Sequence, residues 1–230
     1  MLFRVFCCFW LGLLSANPAI AQTDESDPFF AFGVDTLGAR VDPVLRGAIT
    51  AMEAGDYLSA VVELREIAAR DTAANLQALR LMASAYRRME DYVQSVSICE
   101  QISQIDSLGA SSEVALGFLH SELGDFDSAE QHYLIALQRD PDQILAYQGL
   151  GWLLLQRGRL EQALDMVTET TERAPTYAPN YLLMGRVLTA QGFFEDAVVA
   201  YDRAFALRGD LREHYGILRQ ELLRRHGLSR

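Results

Sequence analysis

Small and hydrophobic positions recur along this chain with a period of 34 residues. Gly124, Gly158 and Gly192 are each separated by that interval. Four further series keep the same interval in one register, and they are Gly117, Gly151 and Gly185, then Ala129, Ala163 and Ala197, then Tyr147 and Tyr181, and finally Pro141 and Pro175. Five independent series in one register are very hard to obtain by chance, so the pattern predicts an array of short structural repeats.

These positions resemble the tetratricopeptide-repeat family, in which each repeat consists of two antiparallel helices. One of the fullest copies carries Leu116-Gly117, Gly124-Asp125-Phe126 and Ala129. The small residues lie where the two helices approach closely, and the turn glycine can adopt the left-handed conformation that ends the first helix. Pro141 and Pro175 open the turn into the next repeat, because proline cannot continue a helix. The resemblance implies an all-α fold, a right-handed superhelical solenoid.

Two weaker copies precede the three regular ones. Gly55 lies 69 residues before Gly124, which is two repeats plus one residue, and we place the extra residue in the loop 71–75. Asp42-Pro43 opens the first copy, with aspartate as the N-cap and proline at the first helical position. The second copy carries Glu90 in place of the turn glycine and Ser95 in place of the packing alanine. We predict five repeats over 41–211, and their bounds are 41–74, 76–109, 110–143, 144–177 and 178–211.

The apolar pattern after the last repeat predicts one more helix. Leu211, Tyr215, Leu218 and Leu222 form one stripe of an amphipathic helix. A solenoid needs a terminal element with a polar outer face, so we interpret residues 212–230 as a capping helix and tail. Residues 211–230 hold five arginines and two glutamates, a net charge of +3. Peripheral contact of this basic helix with a membrane surface is the alternative.

The first residues have the pattern of a cleavable signal peptide. Met1–Arg4 is positively charged, Val5–Ala16 is apolar, and Ala19-Ile20-Ala21 ends the segment with small residues. The pattern predicts a signal peptide over 1–21 and location in the periplasm of a Gram-negative bacterium. An uncleaved anchor is the alternative, but the apolar run is shorter than the roughly 20 residues that span a bilayer.

Residues 22–40 are predicted to be a flexible leader with an aromatic cluster. The segment is acidic at its start and contains Phe29, Phe30 and Phe32. Two interpretations remain open at this point. The phenylalanines cover the exposed face of the first repeat, or they recruit a partner.

Composition and charge exclude several classes of protein. Half of the residues are hydrophobic and 22% are charged, which is typical of a chain with a packed core. The formal net charge of −11 argues against nucleic-acid binding, because phosphate contacts need a basic surface. Removal of the signal peptide leaves one cysteine, Cys99, so no internal disulfide can form.

We find no constellation of catalytic or metal-binding residues in the sequence. The histidines are scattered, and they are His120, His132, His214 and His226. No group of Cys, His and acidic residues has metal-ligand spacing, and there is neither a phosphate-binding loop nor a nucleophile elbow. Cys99 shares the register of buried second-helix positions, which are Leu64, Tyr133, Val167 and Tyr201, and such a thiol is usually inert. We therefore predict that the protein is not an enzyme and binds no metal or cofactor.

The resemblance implies that the first helices of successive repeats line a concave groove that binds peptides or partner helices. One row of groove residues follows the small position of each first helix and consists of Ile49, Ser84, Phe118, Trp152 and Arg186. A row three residues further along consists of Met52, Arg87, Ser121, Leu155 and Thr189. A row one turn upstream consists of Leu45, Arg80, Val114, Gln148 and Leu182.

The centre of the predicted groove is apolar and aromatic, with arginines on both sides. The predicted partner-binding residues are Arg80, Arg87, Phe118, Trp152, Leu155 and Arg186. Aromatic and arginine residues are the usual energetic anchors of interfaces, so a partner segment would place apolar side chains on the centre and its acids near the arginines. The alternative is that Phe118 and Trp152 belong to the core between repeats.

One binding mode of the family is not predicted here. Some members hold the C-terminal carboxylate of a partner with paired basic and asparagine side chains. Ser84, Ala115 and Gly149 occupy places where such polar side chains would be expected.

The function predicted from the sequence is that of a periplasmic scaffold or assembly factor that binds a protein or peptide. A chaperone-like holdase for exported proteins and a regulator of a membrane-bound envelope complex are the alternatives. The sequence leaves the partner, the process and the oligomeric state open.

Overall fold

The structure is a computed structural model that describes residues 42–70 and 74–227. The predicted signal peptide (1–21) and the leader (22–40), with Phe29, Phe30 and Phe32, lie outside the described residues. Residues 71–73, where we placed part of the loop with the extra residue, also lie outside them.

Residues 42–70 and 74–227 form eleven α-helices and no strand. A short 3-10 turn, Pro43–Leu45, leads into the first helix. The helices are α1 (Arg46–Glu53), α2 (Tyr57–Arg70), α3 (Asn75–Arg88), α4 (Tyr92–Ile105), α5 (Ala110–Glu122), α6 (Phe126–Arg139), α7 (Ile144–Gln156), α8 (Leu160–Arg173), α9 (Ala178–Gln191), α10 (Phe194–Leu207) and α11 (Leu211–His226).

The helices stack in chain order as five pairs closed by α11. Every helix contacts the next one, and among the first helices α5 contacts α7 and α7 contacts α9. Contacts between alternate helices place these first helices side by side along one face, which we call the inner face. The apolar core follows the stack as three consecutive clusters. The predicted all-α solenoid of helix pairs with a terminal capping helix is confirmed.

Aspartate side chains start several of these helices. Asp42 accepts a hydrogen bond from the backbone N–H of Val44 at 3.1 Å, and Pro43 follows it, as predicted. Asp91 and Asp125 act in the same way at the starts of α4 and α6, each at 3.2 Å from the bonded backbone nitrogen. Each aspartate satisfies a backbone donor that the helix itself leaves unpaired.

The departures of the second repeat from the pattern have a local structural basis. Glu90 has φ of 60° and occupies the same left-handed turn position as Gly124, whose φ is 78°. The left-handed conformation brings Cβ close to the following carbonyl oxygen in any residue but glycine. Ser95 is fully buried, and its hydroxyl donates to the carbonyl oxygen of Ala83 at 2.9 Å across the helix pair.

Glu90→Gly is expected to raise the free energy of unfolding by about 1 kcal/mol, because glycine relieves the left-handed strain at a small entropic cost in the unfolded chain. Urea denaturation of the purified protein measures this change. Glu100→Gly is the matched control, because Glu100 is exposed inside α4. There the same substitution is expected to lower the free energy of unfolding by about 1 kcal/mol. Destabilisation by Glu90→Gly would contradict the strain at this turn.

The second helices bury the positions expected from the register. Cys99 is fully buried, and burial raises the pKa of its thiol far above the usual range. The thiol therefore stays protonated and unreactive at neutral pH. Leu64, Val167 and Tyr201 are equally buried one or more repeats away.

The size of these buried side chains is matched to the first helix of the next repeat. Gly149 follows Tyr133 by 16 residues, and a Cβ atom at Gly149 would overlap the Tyr133 ring. One repeat later the spacing is the same, but Val167 is followed by Leu183, and both side chains approach Gly151. The contact between a second helix and the first helix of the next repeat thus pairs a large side chain with glycine in one place, Tyr133 with Gly149. In the next repeat it pairs a smaller side chain with leucine, Val167 with Leu183.

Candidate partner-binding groove

The structure places the predicted groove residues on first helices of four successive repeats. They are Arg80 and Arg87 on α3, Phe118 on α5, Trp152 and Leu155 on α7, and Arg186 on α9. All six side chains are half-buried. The apolar ones rest on the core, Phe118 on the first cluster and Trp152 and Leu155 on the second. Each therefore has one side packed and another side facing outward from the stack.

The row predicted one turn upstream does not line the groove. Leu45, Val114, Gln148 and Leu182 have exposed fractions between 0% and 7%. Val114, Gln148 and Leu182 lie where α5, α7 and α9 pack on their neighbours, and Leu45 lies in the 3-10 turn before α1 and packs in the first core cluster. Arg80 is the exception in this row, with 27% of its side chain exposed.

The arginines beside the groove have different surroundings. The Nη2 atom of Arg80 lies 3.5 Å from the Oδ2 atom of Asp106. The guanidinium of Arg186 lies over the indole of Trp152, with 4.6 Å from Cζ to the ring centroid. Burial lowers the pKa of Arg186. The predicted arginines therefore differ, because Arg80 has an acidic neighbour and Arg186 rests on an aromatic ring.

A buried carboxylate joins the second and third repeats, and it was not among the residues predicted from the sequence. Glu113 on α5 is 3% exposed. Its carboxylate oxygens lie 2.6 Å from Ser103 Oγ, 2.7 Å from His132 Nδ1 and 2.9 Å from Arg139 Nη1. Burial alone would raise the pKa of Glu113, but the hydrogen bonds with His132 and Ser103 and the charge of Arg139 together lower it. The carboxylate therefore stays ionised and ties α5 to α4 and α6.

The description of the histidines as scattered was wrong for two of them. The rings of His120 and His132 stack, with 5.2 Å between their centroids. Burial, and then the charge of His132, lowers the pKa of His120. The two lie twelve residues apart on paired helices, so only packing reveals their contact. In the described part of the chain no three or more His, Cys, Asp or Glu residues are arranged to hold a metal ion.

The 34-residue register of the sequence contained a signal for the contact between Glu113 and Arg139. Glu113 occupies the position of Tyr147 one repeat later, and Arg139 that of Arg173. In the later repeat the guanidinium of Arg173 lies 5.3 Å from the ring centroid of Tyr147. The same two positions thus meet in both repeats, once as an ion pair and once as a cation–π contact.

The C-terminal helix packs its apolar stripe on the last core cluster. Leu211 and Leu222 are buried there, and Tyr215 and Leu218 pack beside them. Arg219 lies 2.6 Å from a carboxylate oxygen of Asp202, so part of the basic charge of α11 is neutralised by α10. Among the described residues no helix is long and apolar enough to cross a membrane.

The sequence has relatives among known proteins. Residues 110–176 match the family model of the tetratricopeptide repeat. The chain is 29% identical over 101 residues to FK506-binding protein 5 of Rhizopus delemar, covering 43% of this chain and 26% of that protein. It is 25% identical over 114 residues to the TPR repeat-containing protein YpiA of Bacillus subtilis, covering 50% of this chain and 26% of the relative. The chain spans about a quarter of the length of these relatives.

Solved structures share the fold. A crystal structure of MamA superposes with a TM-score of 0.60 at 16% identity, covering 72% of this chain and 96% of MamA. The thermophilic TPR protein TTC0263 of Thermus thermophilus superposes with a TM-score of 0.65 at 12% identity, covering 78% of this chain and 96% of that protein. At such identity the likeness shows the fold alone.

The repeat register, the stacked helix pairs and the matched family model agree with one another. Residues 110–176 carry tetratricopeptide repeats, and the helix pairs stack in the solenoid fold of such repeats. This fold supports a role in protein–protein interaction.

Proposed function

We propose that this protein is an exported scaffold or assembly factor that holds a segment of a partner protein on its inner face. The observation that carries this proposal is the half-buried apolar patch of Phe118, Trp152 and Leu155. Interfaces gain most of their binding energy from a few aromatic and arginine residues in partly enclosed surroundings. The patch has that composition, and Arg186 adjoins it on Trp152.

The geometry of the patch suits an elongated partner segment. Phe118 and Trp152 occupy the same register position on α5 and α7, and these helices contact each other. Leu155 lies three residues after Trp152 and therefore on the same side of α7. A segment that crosses the first helices could place successive apolar side chains on these residues, while the packed sides of the patch hold their orientation.

Export is proposed from the sequence of residues 1–21. The charged start, apolar centre and small residues before Gln22 support a cleavable signal peptide and a periplasmic location. The periplasmic fraction of the native host is therefore the compartment in which we propose that the partner is met.

Site-specific photo-crosslinking in the native host tests the groove. A photoreactive residue in place of Leu155 is expected to form a saturable cross-link with one folded partner. The same residue in place of Val199 is the matched control, because Val199 is also apolar but lies on second helix α10 with 68% exposure. The periplasmic form is expected to begin at Gln22, which mass spectrometry of its N-terminal peptide checks.

Three results would contradict the proposal. Equal cross-linking from positions 155 and 199 would exclude the inner face as the binding surface. Cross-links to many unfolded chains, with no saturation, would favour a holdase. Recovery of the protein with Met1 in the cytoplasm would exclude export.

A further inference from the structure

Arg186 carries a partly buried positive charge that no acidic side chain among the described residues neutralises. Within 42–70 and 74–227, no carboxylate lies within ion-pair distance of its guanidinium. Other half-buried arginines of this protein do have such partners, as Arg139 has in Glu113 at 2.9 Å and Arg219 in Asp202 at 2.6 Å. Arg186 is therefore unlike the arginines that tie the repeats together.

The surroundings of Arg186 supply little compensation for its charge. Burial lowers the pKa of Arg186, and the hydroxyls of Tyr201 and Tyr215 act in the opposite direction. Tyrosine is neutral near pH 7, so these hydroxyls carry no negative charge. Burial raises the pKa of Tyr201 further, which keeps it protonated. The face of Trp152 is the remaining favourable contact, and a ring offers a weaker attraction than a carboxylate.

Arg186 is half-buried on α9, so part of the residue stays exposed. Arg186 occupies on α9 the register position that Phe118 and Trp152 occupy on earlier first helices. The guanidinium lies over the indole beside the apolar patch, with 4.6 Å from Cζ to the ring centroid. A guanidinium is planar and can donate two parallel hydrogen bonds to a carboxylate.

We infer that Arg186, held against Trp152, binds a carboxylate of the partner segment that lies on the apolar patch. This inference rests on the proposed function and names the chemistry that the groove recognises beyond apolar contact. Arg80 is less suited to this role, because Asp106 already lies beside it. The carboxylate is that of an acidic side chain within the segment, and peptide binding distinguishes it from a C-terminal carboxylate.

Unfolding of the free protein provides one test. Arg186→Met is expected to raise the urea midpoint of unfolding, because a thioether in place of the guanidinium removes a desolvated charge that has no acidic partner. Arg139→Met is the matched control and is expected to lower the midpoint, because it leaves Glu113 buried without its arginine. A lower midpoint for Arg186→Met would mean that Arg186 stabilises the fold, and it would overturn the inference.

Peptide binding provides the second test, with Trp152 as the reporter. Trp10 and Trp152 are the two tryptophans of the chain, and Trp10 lies in the segment 1–21 whose removal we propose, so the form that begins at Gln22 reports the indole under Arg186. Three leucine-rich probes are compared, one with an internal glutamate and an amidated end, one with glutamine instead, and the glutamine peptide with a free C-terminal carboxylate. The glutamate peptide is expected to bind about tenfold more tightly than its amidated glutamine counterpart, and Arg186→Gln is expected to abolish the difference.

The peptide-binding test has a matched control variant and outcomes that decide it. Arg203→Gln is the control, because Arg203 is exposed and lies over Tyr181, at 5.8 Å from the ring centroid. It is expected to leave the glutamate preference unchanged. Tighter binding of the free-carboxylate glutamine peptide than of the glutamate peptide would overturn the assignment to an acidic side chain. Failure of both carboxylate peptides to exceed the amidated glutamine peptide would overturn the inference, while the cross-link from position 155 would still decide the proposed function.

Discussion

Gly149→Leu is expected to lower the free energy of unfolding by about 3 kcal/mol, because the new side chain must enter space that the Tyr133 ring fills. Tyr133 is 3% exposed and also packs against Gly117, where an added Cβ atom would lie 2.8 Å from the ring. The buried ring therefore lies close to two glycines, and a larger side chain at either of them overlaps it. Equilibrium urea denaturation measures the loss.

The neighbouring repeat junction supplies a way to rescue this variant. Tyr133→Val alone is expected to cost about 2–3 kcal/mol through the cavity it creates. Tyr133→Val combined with Gly149→Leu recreates the Val167 and Leu183 pair of the next junction. The double variant is expected to be more stable than either single variant, because leucine fills the space that tyrosine leaves.

A glycine that does not face another side chain is the control for the comparison of the single and double variants at Tyr133 and Gly149. Gly124 has φ of 78°, and a Cβ atom there would meet nothing within 4 Å. Gly124→Ala is expected to cost about 1 kcal/mol from backbone strain alone. Additive losses in the Tyr133 and Gly149 double variant would contradict the complementary packing of the two positions.

Glu113→Ala is expected to lower the free energy of unfolding by about 3 kcal/mol, because it leaves Arg139 and His132 facing a buried site without their carboxylate. Asp127→Ala is the matched control. Asp127 also pairs with an arginine, Arg157, at 2.8 Å, but its side chain is 83% exposed. Loss of this surface pair is expected to cost less than about 1 kcal/mol. Equal losses of unfolding free energy in the two variants would show that Glu113 does not link the second repeat to the third.

The pH dependence of stability gives a second readout for Glu113. The folded pKa of Glu113 is lower than its unfolded value near 4.5, so its contribution is present above that pH and disappears as the pH falls through the folded pKa. His120 affects stability in a different pH range. Its folded pKa is lower than its unfolded value near 6.5, so the free energy of unfolding falls as the pH falls below that value. Glu113→Ala is expected to remove the loss of stability in the acidic range below 4.5 and to keep the loss that His120 causes below 6.5.

Much of the fold follows from local rules that the sequence displays directly. The left-handed turn at Gly124 and the aspartate cap at Asp125 depend on residues within one helical turn. The burial of Cys99 follows from its place in a strict 34-residue register. Such features could be predicted because backbone conformation and helix periodicity act over short distances. The position of the groove residues on first helices followed from the same register.

Other features depend on how one repeat stacks on the next, and only the tertiary structure decided them. The sequence determined a solenoid of helix pairs with an aromatic and arginine surface on its first helices. It did not reveal that Leu45, Val114 and Leu182 of one predicted groove row are buried, or that Glu113 meets His132. It also predicted equal roles for Arg80 and Arg186, although one lies beside Asp106 and the other on Trp152. These outcomes depend on the angle and distance between stacked helices, which arise from packing along the whole array rather than from the periodic pattern of any one repeat.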